Sequence, residues 1–365
     1  MSARTANRTR PGAVLLALLT LLALVAAACG GDDGGTSAAA DETSDATTTA
    51  PPKPVTVKLG YFPNITHAPA LVGAEGGLFA DALGQSSLKT FAFNAGPEAS
   101  EALLSGAIDA TYIGPNPAIN AWSKSKAIKI VAGATSGGAL FVTTKDIVGV
   151  GDLKGKTIAT PQLGNTQDVA LRWFLKESGL NADTSGGGDV SIKPQSNATT
   201  LEQFKAGQID GAWVPEPWAT RLLLEGNGKV FLDEKQAWPD GRFVTTHLIV
   251  RKDFLDDHPD VVAQLLQGHL RAQELIAKEP GKAKDLVDRA IRKLTGTNIT
   301  AEQTDAAWPG MDFTSDPVSS SLKGSAEHAI AVGLLPADTD LDGIYDLRIL
   351  NKLLRATGQQ EVKGF

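Results

Sequence analysis

Two stretches of this chain, about a hundred residues apart, repeat one order of short apolar strands and amphipathic helices, and this duplication restricts the fold more than any other feature. In the first, VTVKLGYF (55–62) alternates as a strand does, and Asn64-Ile65-Thr66-His67 leads into an Ala/Leu-rich helix. A second strand, LKTFAFNAG (88–96), precedes a helix with Pro97 as its first residue and Gly106 at its end, and AIDATYIG (107–114) is a third strand. In the second stretch KTIAT (156–160) is followed by Gly164-Asn165-Thr166-Gln167 and the helix DVALRWFLKESG, then VSIKPQ (190–195), another helix and GQIDGAWVP (207–215). Gly106-x-Ile108-Asp109 aligns with Gly207-x-Ile209-Asp210, and threonine to aspartate spans 43 residues in one copy (66 to 109) and 44 in the other (166 to 210). Alternating strands and helices predict an α/β protein with largely parallel pairing, and the matched spacing predicts two related lobes.

The extended apolar stretches 139–147 and 243–255 are read as crossovers between the lobes. Lobe 1 is then expected to comprise residues 55–142 plus 246–365, with a mostly helical C-terminal part, and lobe 2 residues 143–245. Open α/β sheets bind ligands at the carboxyl ends of their strands, so the crevice between the lobes is where a site is expected.

The N-terminal segment has a different character. Arg4, Arg8 and Arg10 precede a Leu-rich uncharged stretch from Pro11 to Ala28, and small residues run up to Cys29, the chain's only cysteine. That is the layout of a cleaved secretory signal, residues 1–28. A membrane-spanning anchor is the alternative, but 18 uncharged residues lie at the bottom of the spanning range and lack a positive stop-transfer flank. Residues 30–54 are small, polar, acidic and finally proline-rich, which predicts a flexible tether. Losing three arginines would take the formal charge from −7 to −10, of which the tether holds −4, leaving −6 on residues 55–365. With no basic run, a nucleic-acid partner is not expected, and one cysteine precludes an intrachain disulfide.

Two segments carry candidate chemistry. A glycine-bearing turn opens a helix at Gly164-Asn165-Thr166-Gln167, where first-turn amides and the helix dipole favour an anion without formal charge. Asn64-Ile65-Thr66-His67 is its counterpart in the first copy, with Asn64, Thr66 and His67 as candidate donors. Ordinary capping by Asn or Thr accounts for such residues equally well. In Trp213-Val214-Pro215-Glu216-Pro217-Trp218, two prolines hold a carboxylate and two indoles at a strand end. Glu216 is a candidate acceptor for an ammonium or hydroxyl, and Trp213 and Trp218 for packing on an alkyl chain; a rigid turn with core tryptophans is the alternative. Asn116, between Pro115 and Pro117, takes the corresponding place in the first copy.

Other motifs weaken. GDLKGKT (151–157) has Val150 where a phosphate-binding loop needs glycine. Asp338-x-Asp340-x-Asp342-Gly343 starts like a calcium loop but has Ile349 where the bidentate glutamate belongs. The five histidines lack metal-ligand spacing, and no nucleophile elbow or Cys/His pair is present, so neither a metal, a cofactor nor catalysis is expected.

Taken together, Cys29 at its lipobox-like boundary, KLGYFPNITHAPAL, LLSGAIDATYIGPNPAINA, LKGKTIATPQLGNTQDVALRWFL, FKAGQIDGAWVPEPWATRLL and TTHLIVRKDFL resemble substrate-binding lipoproteins of ABC importers, within the aliphatic sulfonate, taurine and nitrate family. A lipobox usually has leucine three residues before the cysteine, where this chain has Ala26. The resemblance implies a periplasmic-binding-protein fold of the second class, hinged by two crossovers and closing on a small organic anion. It further implies a monomer held at the membrane by a lipid on Cys29, outside the cytoplasm, serving a permease and its ATPase. The family's ligand region falls on 64–67, 164–167 and 215–218. Neutral donors suit a sulfonate better than a phosphate, for which arginine clamps are expected. Nitrate, bicarbonate or a pyrimidine-type precursor are the rival ligands, and an enzyme of a cofactor pathway on a related fold is the rival class.

Overall fold

The structure, a computed structural model, describes residues 54–365, so the expected signal segment, Cys29 and nearly all of the tether lie outside the described residues. Eleven strands follow in chain order: β1 Thr56–Tyr61, β2 Ser87–Ala92, β3 Ala110–Ile113, β4 Ile128–Gly137, β5 Ala139–Thr143, β6 Thr157–Thr160, β7 Ser191–Pro194, β8 Gly211–Pro215, β9 Lys229–Asp233, β10 Val244–Arg251 and β11 Met311–Phe313. They form one six-stranded sheet, β11-β4-β10-β3-β1-β2, and one five-stranded sheet, β7-β6-β8-β5-β9. Parallel pairs join β1 to β2 and β3, and in the second sheet β6 to β7 and β8. In each sheet one strand runs antiparallel in the middle, β10 against β3 and β4, β5 against β8 and β9.

The duplication is thus visible in the strand orders, β2-β1-β3-β10-β4 and β7-β6-β8-β5-β9. It also has a residue-level signature. Asp109 takes the Lys58 amide on its carboxylate at 2.9 Å, and its backbone bonds both Lys58 and Arg251 at the edges of β1 and β10. Asp210 does the same to Thr157 and Thr144 at the edges of β6 and β5. The repeated Gly-x-Ile-Asp is therefore a clamp that ties a helix-to-strand turn to two neighbouring strands. Its isoleucines, Ile108 and Ile209, are buried.

The expected crossovers prove to be strands. An apolar run such as VTTHLIVR is stable where both faces are covered, and it lies in the middle of the first sheet as β10. ALFVT plays the same part in the second sheet as β5. The exchanges between sheets lie just before them, at Gly138 and in 234–243, so the first comes slightly earlier than residue 142. Gly137 and Gly138 both have φ of +80°, a backbone that L side chains rarely adopt. At the other end of the burial scale, β2 is a polar edge strand, SLKTFA, as unpaired edges require.

The C-terminal helices cover the first sheet, as expected. Pro259–Lys278 and Pro280–Thr295 bury Val262, Leu265, Leu266 and Val287 against β1, β10 and helix Ala68–Glu75. The second sheet has its own core around Phe141, Leu171, Leu175 and Trp213. No helix among the described residues is long and apolar enough to cross a membrane.

Candidate functional site

Two helix-opening turns, one from each sheet, meet around a small cavity. The first follows β1: after Tyr61 the chain enters a 3-10 turn, Ile65–His67, before helix Ala68–Glu75. Hydroxyls of Thr135 on β4 and Thr246 on β10 donate to the Thr66 carbonyl at 2.7 and 3.0 Å, fixing this turn. The second follows β6, where helix Thr166–Glu177 begins. The Ile65 amide donates to the Glu216 carbonyl at 3.0 Å and the Glu216 amide to Gly138 at 2.9 Å, holding the turns' surroundings together.

Six of the expected residues line this cavity together: Asn64, Thr66 and His67 on one side, Asn165, Thr166 and Gln167 on the other. All six are buried. Capping does not account for them. Asn165 stands at the N-cap yet makes no side-chain cap bond, and the Asn64 carboxamide accepts from the Trp218 indole instead. The Thr166 hydroxyl is buried with no partner at all, which costs roughly 1–3 kcal/mol unless something accepts from it. Asn165 and Asp168 use their amides within the turn, leaving those of Thr166 and Gln167 as first-turn donors without an intrahelical acceptor.

His67 contributes a neutral donor. Its Nδ1 accepts from the Phe62 amide at 3.3 Å, so the ring proton sits on Nε2. Burial holds its pKa down to about 3, and the ring packs on Phe62 with centroids 4.4 Å apart. No ionised side chain lines the cavity. Behind the helix start Asp168 and Arg172 neutralise each other at 3.0 Å, while Asp168 also accepts from Thr160 and from the Gly164 amide, and the Glu98 carboxylate accepts from Asn94. The cavity encloses about 20 Å³, room for about one water molecule.

Five other expected residues do not face this cavity. Trp213 stacks on Phe141 at 5.4 Å inside the second core and donates to Glu234 at 2.7 Å, because β8 directs it away from the crevice. The Glu216 carboxyl accepts from the amide and hydroxyl of Thr220, both at 3.0 Å, capping helix Trp218–Leu224; burial raises its pKa to about 7. Asn116 donates to the Ser325 carbonyl at 3.0 Å and pins helix Pro115–Ser125 to Ser319–Ala331. Gly164 spends its amide on Asp168 and supplies the φ of +74° the turn needs. Trp218 lies next door, its indole donating to Asn64 at 2.9 Å.

Sequence reasoning missed Gly114, Asn94, Asn197 and Thr245, which also line the cavity. A Cβ on Gly114 would sit 2.3 Å from the Thr166 hydroxyl, so glycine is what lets the second turn approach β3. Asn94 and Asn197 follow β2 and β7, equivalent strands of the two copies. Extending the repeat alignment to those strand ends would have found them. Among the described residues, no group of acidic, cysteine or histidine side chains is arranged to hold a metal ion.

Residues 50–291 match the model of the NMT1-like family. Over 191 residues the chain is 30% identical to the taurine-binding periplasmic protein of Escherichia coli (strain K12), covering 52% of this chain and 57% of that protein, so it spans little more than half of this relative's length. The nitrate/nitrite binding protein NrtA of Nostoc sp. (strain PCC 7120) is 24% identical, with 79% of this chain and 73% of that protein covered. Among solved structures, the periplasmic aliphatic sulphonate binding protein SsuA of Escherichia coli superposes with a TM-score of 0.64 at 18% identity, covering 79% of this chain and 96% of that one. With the paired sheets, the exchanged central strands and this match over most of its length, the chain belongs to the NMT1-like family and has the periplasmic-binding-protein fold.

Proposed function

We propose that this protein is the extracytoplasmic solute-binding lipoprotein of an ABC importer. It captures a small monoanion, an aliphatic sulfonate or taurine, between its two sheets, acting as hinged lobes, and delivers it to a permease and its ATPase. Removal of residues 1–28 leaves a lipidated Cys29, and the lipid holds the monomer at the outer face of the membrane through the tether.

One observation carries the reading: uncharged donors from both sheets converge, with a buried Thr166 hydroxyl that nothing accepts from. A sulfonate spreads one charge over three oxygens and takes several such bonds at once. Neutral donors hold it reversibly, which suits a protein that must release its cargo. The names of the taurine- and sulfonate-binding relatives point the same way. The cavity is narrow, so a sulfonate enters as the lobes part and is gripped as they re-close.

Nitrate or bicarbonate is the second reading, favoured by that narrowness, about 20 Å³, and by a nitrate-binding relative. Neither Trp213 nor Glu216 faces the cavity, so neither calls for an alkyl body on the anion. A thermal-shift panel of taurine, alkanesulfonates, nitrate, bicarbonate and a pyrimidine precursor decides between them. Sulfonates should give the largest shift; a shift from the pyrimidine alone overturns the anion reading. Labelled-lipid incorporation that survives in Cys29→Ala would overturn the anchor.

A further inference from the structure

Beside the donor ring lies a second, larger cavity of about 400 Å³. Asn64, Asn94 and Asn197 line both, so the two adjoin across these three side chains. The larger one's apolar wall comes from both sheets' helices and loops, Phe93, Trp218, Ile291, Leu294 and Ile299, and the rest of its lining includes Ser196, Thr295 and Thr297. Arg221, its one charged lining residue, is ion-paired with Glu225 at 2.6 Å and lies over the Trp218 ring at 5.0 Å. The indole is therefore held on one edge by Asn64 and on one face by Arg221, a rigid aromatic wall. The side-chain carbonyl oxygen of Asn197, which lines both cavities, is buried and receives no hydrogen bond. Like the Thr166 hydroxyl, it has a lone partner missing, but of the opposite kind: it asks for a donor.

We propose that the ligand is an organic anion with an uncharged, ring-sized apolar body that carries an N–H or O–H group. The anionic head sits in the donor ring, the ligand's donor meets Asn197, and the body fills the groove against Trp218 and Phe93. This rests on the anion-binding reading above and narrows it. A cavity of this size belongs to the range of pockets that bury most of a drug-sized ligand, far beyond a two-carbon body. The groove's neutralised charge excludes a second anionic group on the body, and the flat indole favours a ring.

Titration calorimetry with methanesulfonate, benzenesulfonate and the three aminobenzenesulfonate isomers tests this. Methanesulfonate reports the head site alone. Benzenesulfonate should bind at least tenfold tighter, and one amino isomer tighter again. Thr295→Trp, which places an indole in the groove from the exposed end of helix Pro280–Thr295, should collapse the benzenesulfonate-to-methanesulfonate ratio to about one. Asn197→Ala should bring the amino isomer to within twofold of benzenesulfonate. If methanesulfonate binds and the aromatic sulfonates bind no tighter, or if the ratio survives Thr295→Trp, the groove assignment is wrong while anion binding stands. If no sulfonate binds, the sulfonate reading falls, and this inference with it.

Discussion

At the scale of single residues, the Thr166 hydroxyl is where the proposed anion site can be told apart from architecture. Buried and without a protein partner, it can be removed without breaking any hydrogen bond of the fold. Thr166→Val should therefore weaken anion binding about tenfold or more, since a hydrogen bond to a charged group contributes roughly 1.5–3 kcal/mol, while the ligand-free protein melts no lower than wild type and gains stability as the unpaired hydroxyl is removed. A fall in stability to match the loss of affinity would mean the side chain serves the helix. Gly114→Ala attacks the same atom from outside, since its methyl would stand 2.3 Å from that hydroxyl; calorimetry should show binding reduced more than in Thr166→Val. That Asn64, Thr66 and His67 stand at one helix start and Asn165, Thr166 and Gln167 at another was legible in the sequence, because helix starts with excess donors have a recognisable composition. Trp213 and Glu216 were not, because a strand end fixes only which residues sit there. Which way β8 turns the indole, and that Glu216 caps the next helix through Thr220, depend on packing across the second sheet.

At the scale of elements, helix Thr166–Glu177 keeps its amides available because Asp168 is satisfied elsewhere, by Arg172, Thr160 and Gly164. Both partners of the ion pair are buried, and removing one leaves the other uncompensated. Asp168→Asn should cost about 3 kcal/mol or more in chemical denaturation and loosen the Gly164 turn, so affinity drops as well. The exchange from β4 to β5 depends on Gly138. A side chain there is strained at φ +80° and would approach Met311 Cγ to 2.5 Å, so Gly138→Ala should destabilise by about 1–3 kcal/mol. Periodicity located nearly every strand of the two copies. It mistook β5 and β10 for linkers because a doubly buried central strand and an apolar connection read alike in one dimension. Their place in the sheets is set by pairing with strands far away in the chain.

At the scale of the molecule, buried ionisable groups shape stability from both sides. His67, His247 and His269 titrate at about 3, 4 and 4 when folded, lowered by burial from 6.5. Their contribution is fully present above pH 6.5 and is lost as pH falls toward 4, roughly 2 kcal/mol per histidine by pH 5. Glu216 and Glu234 behave oppositely. Burial raises both from 4.5 to about 7, so the stability they contribute is full below 4.5 and lost as pH rises through 7. Glu234 accepts from the indoles of Trp213 and Trp238 beside the return crossover. Glu234→Gln should flatten the alkaline limb of the melting curve, gaining on the order of 2 kcal/mol over wild type at pH 8 relative to pH 5. An unchanged limb would mean that this carboxyl ionises freely in the folded protein.

The grip of neutral donors on one shared anion is tested most directly by calorimetric titration of the protein with methanesulfonate and with sulfate, repeated for Thr166→Val. The monoanion should bind, bind about tenfold more weakly to the variant, and outcompete the dianion. Tighter binding of sulfate, or an affinity indifferent to the loss of the Thr166 hydroxyl, would contradict it.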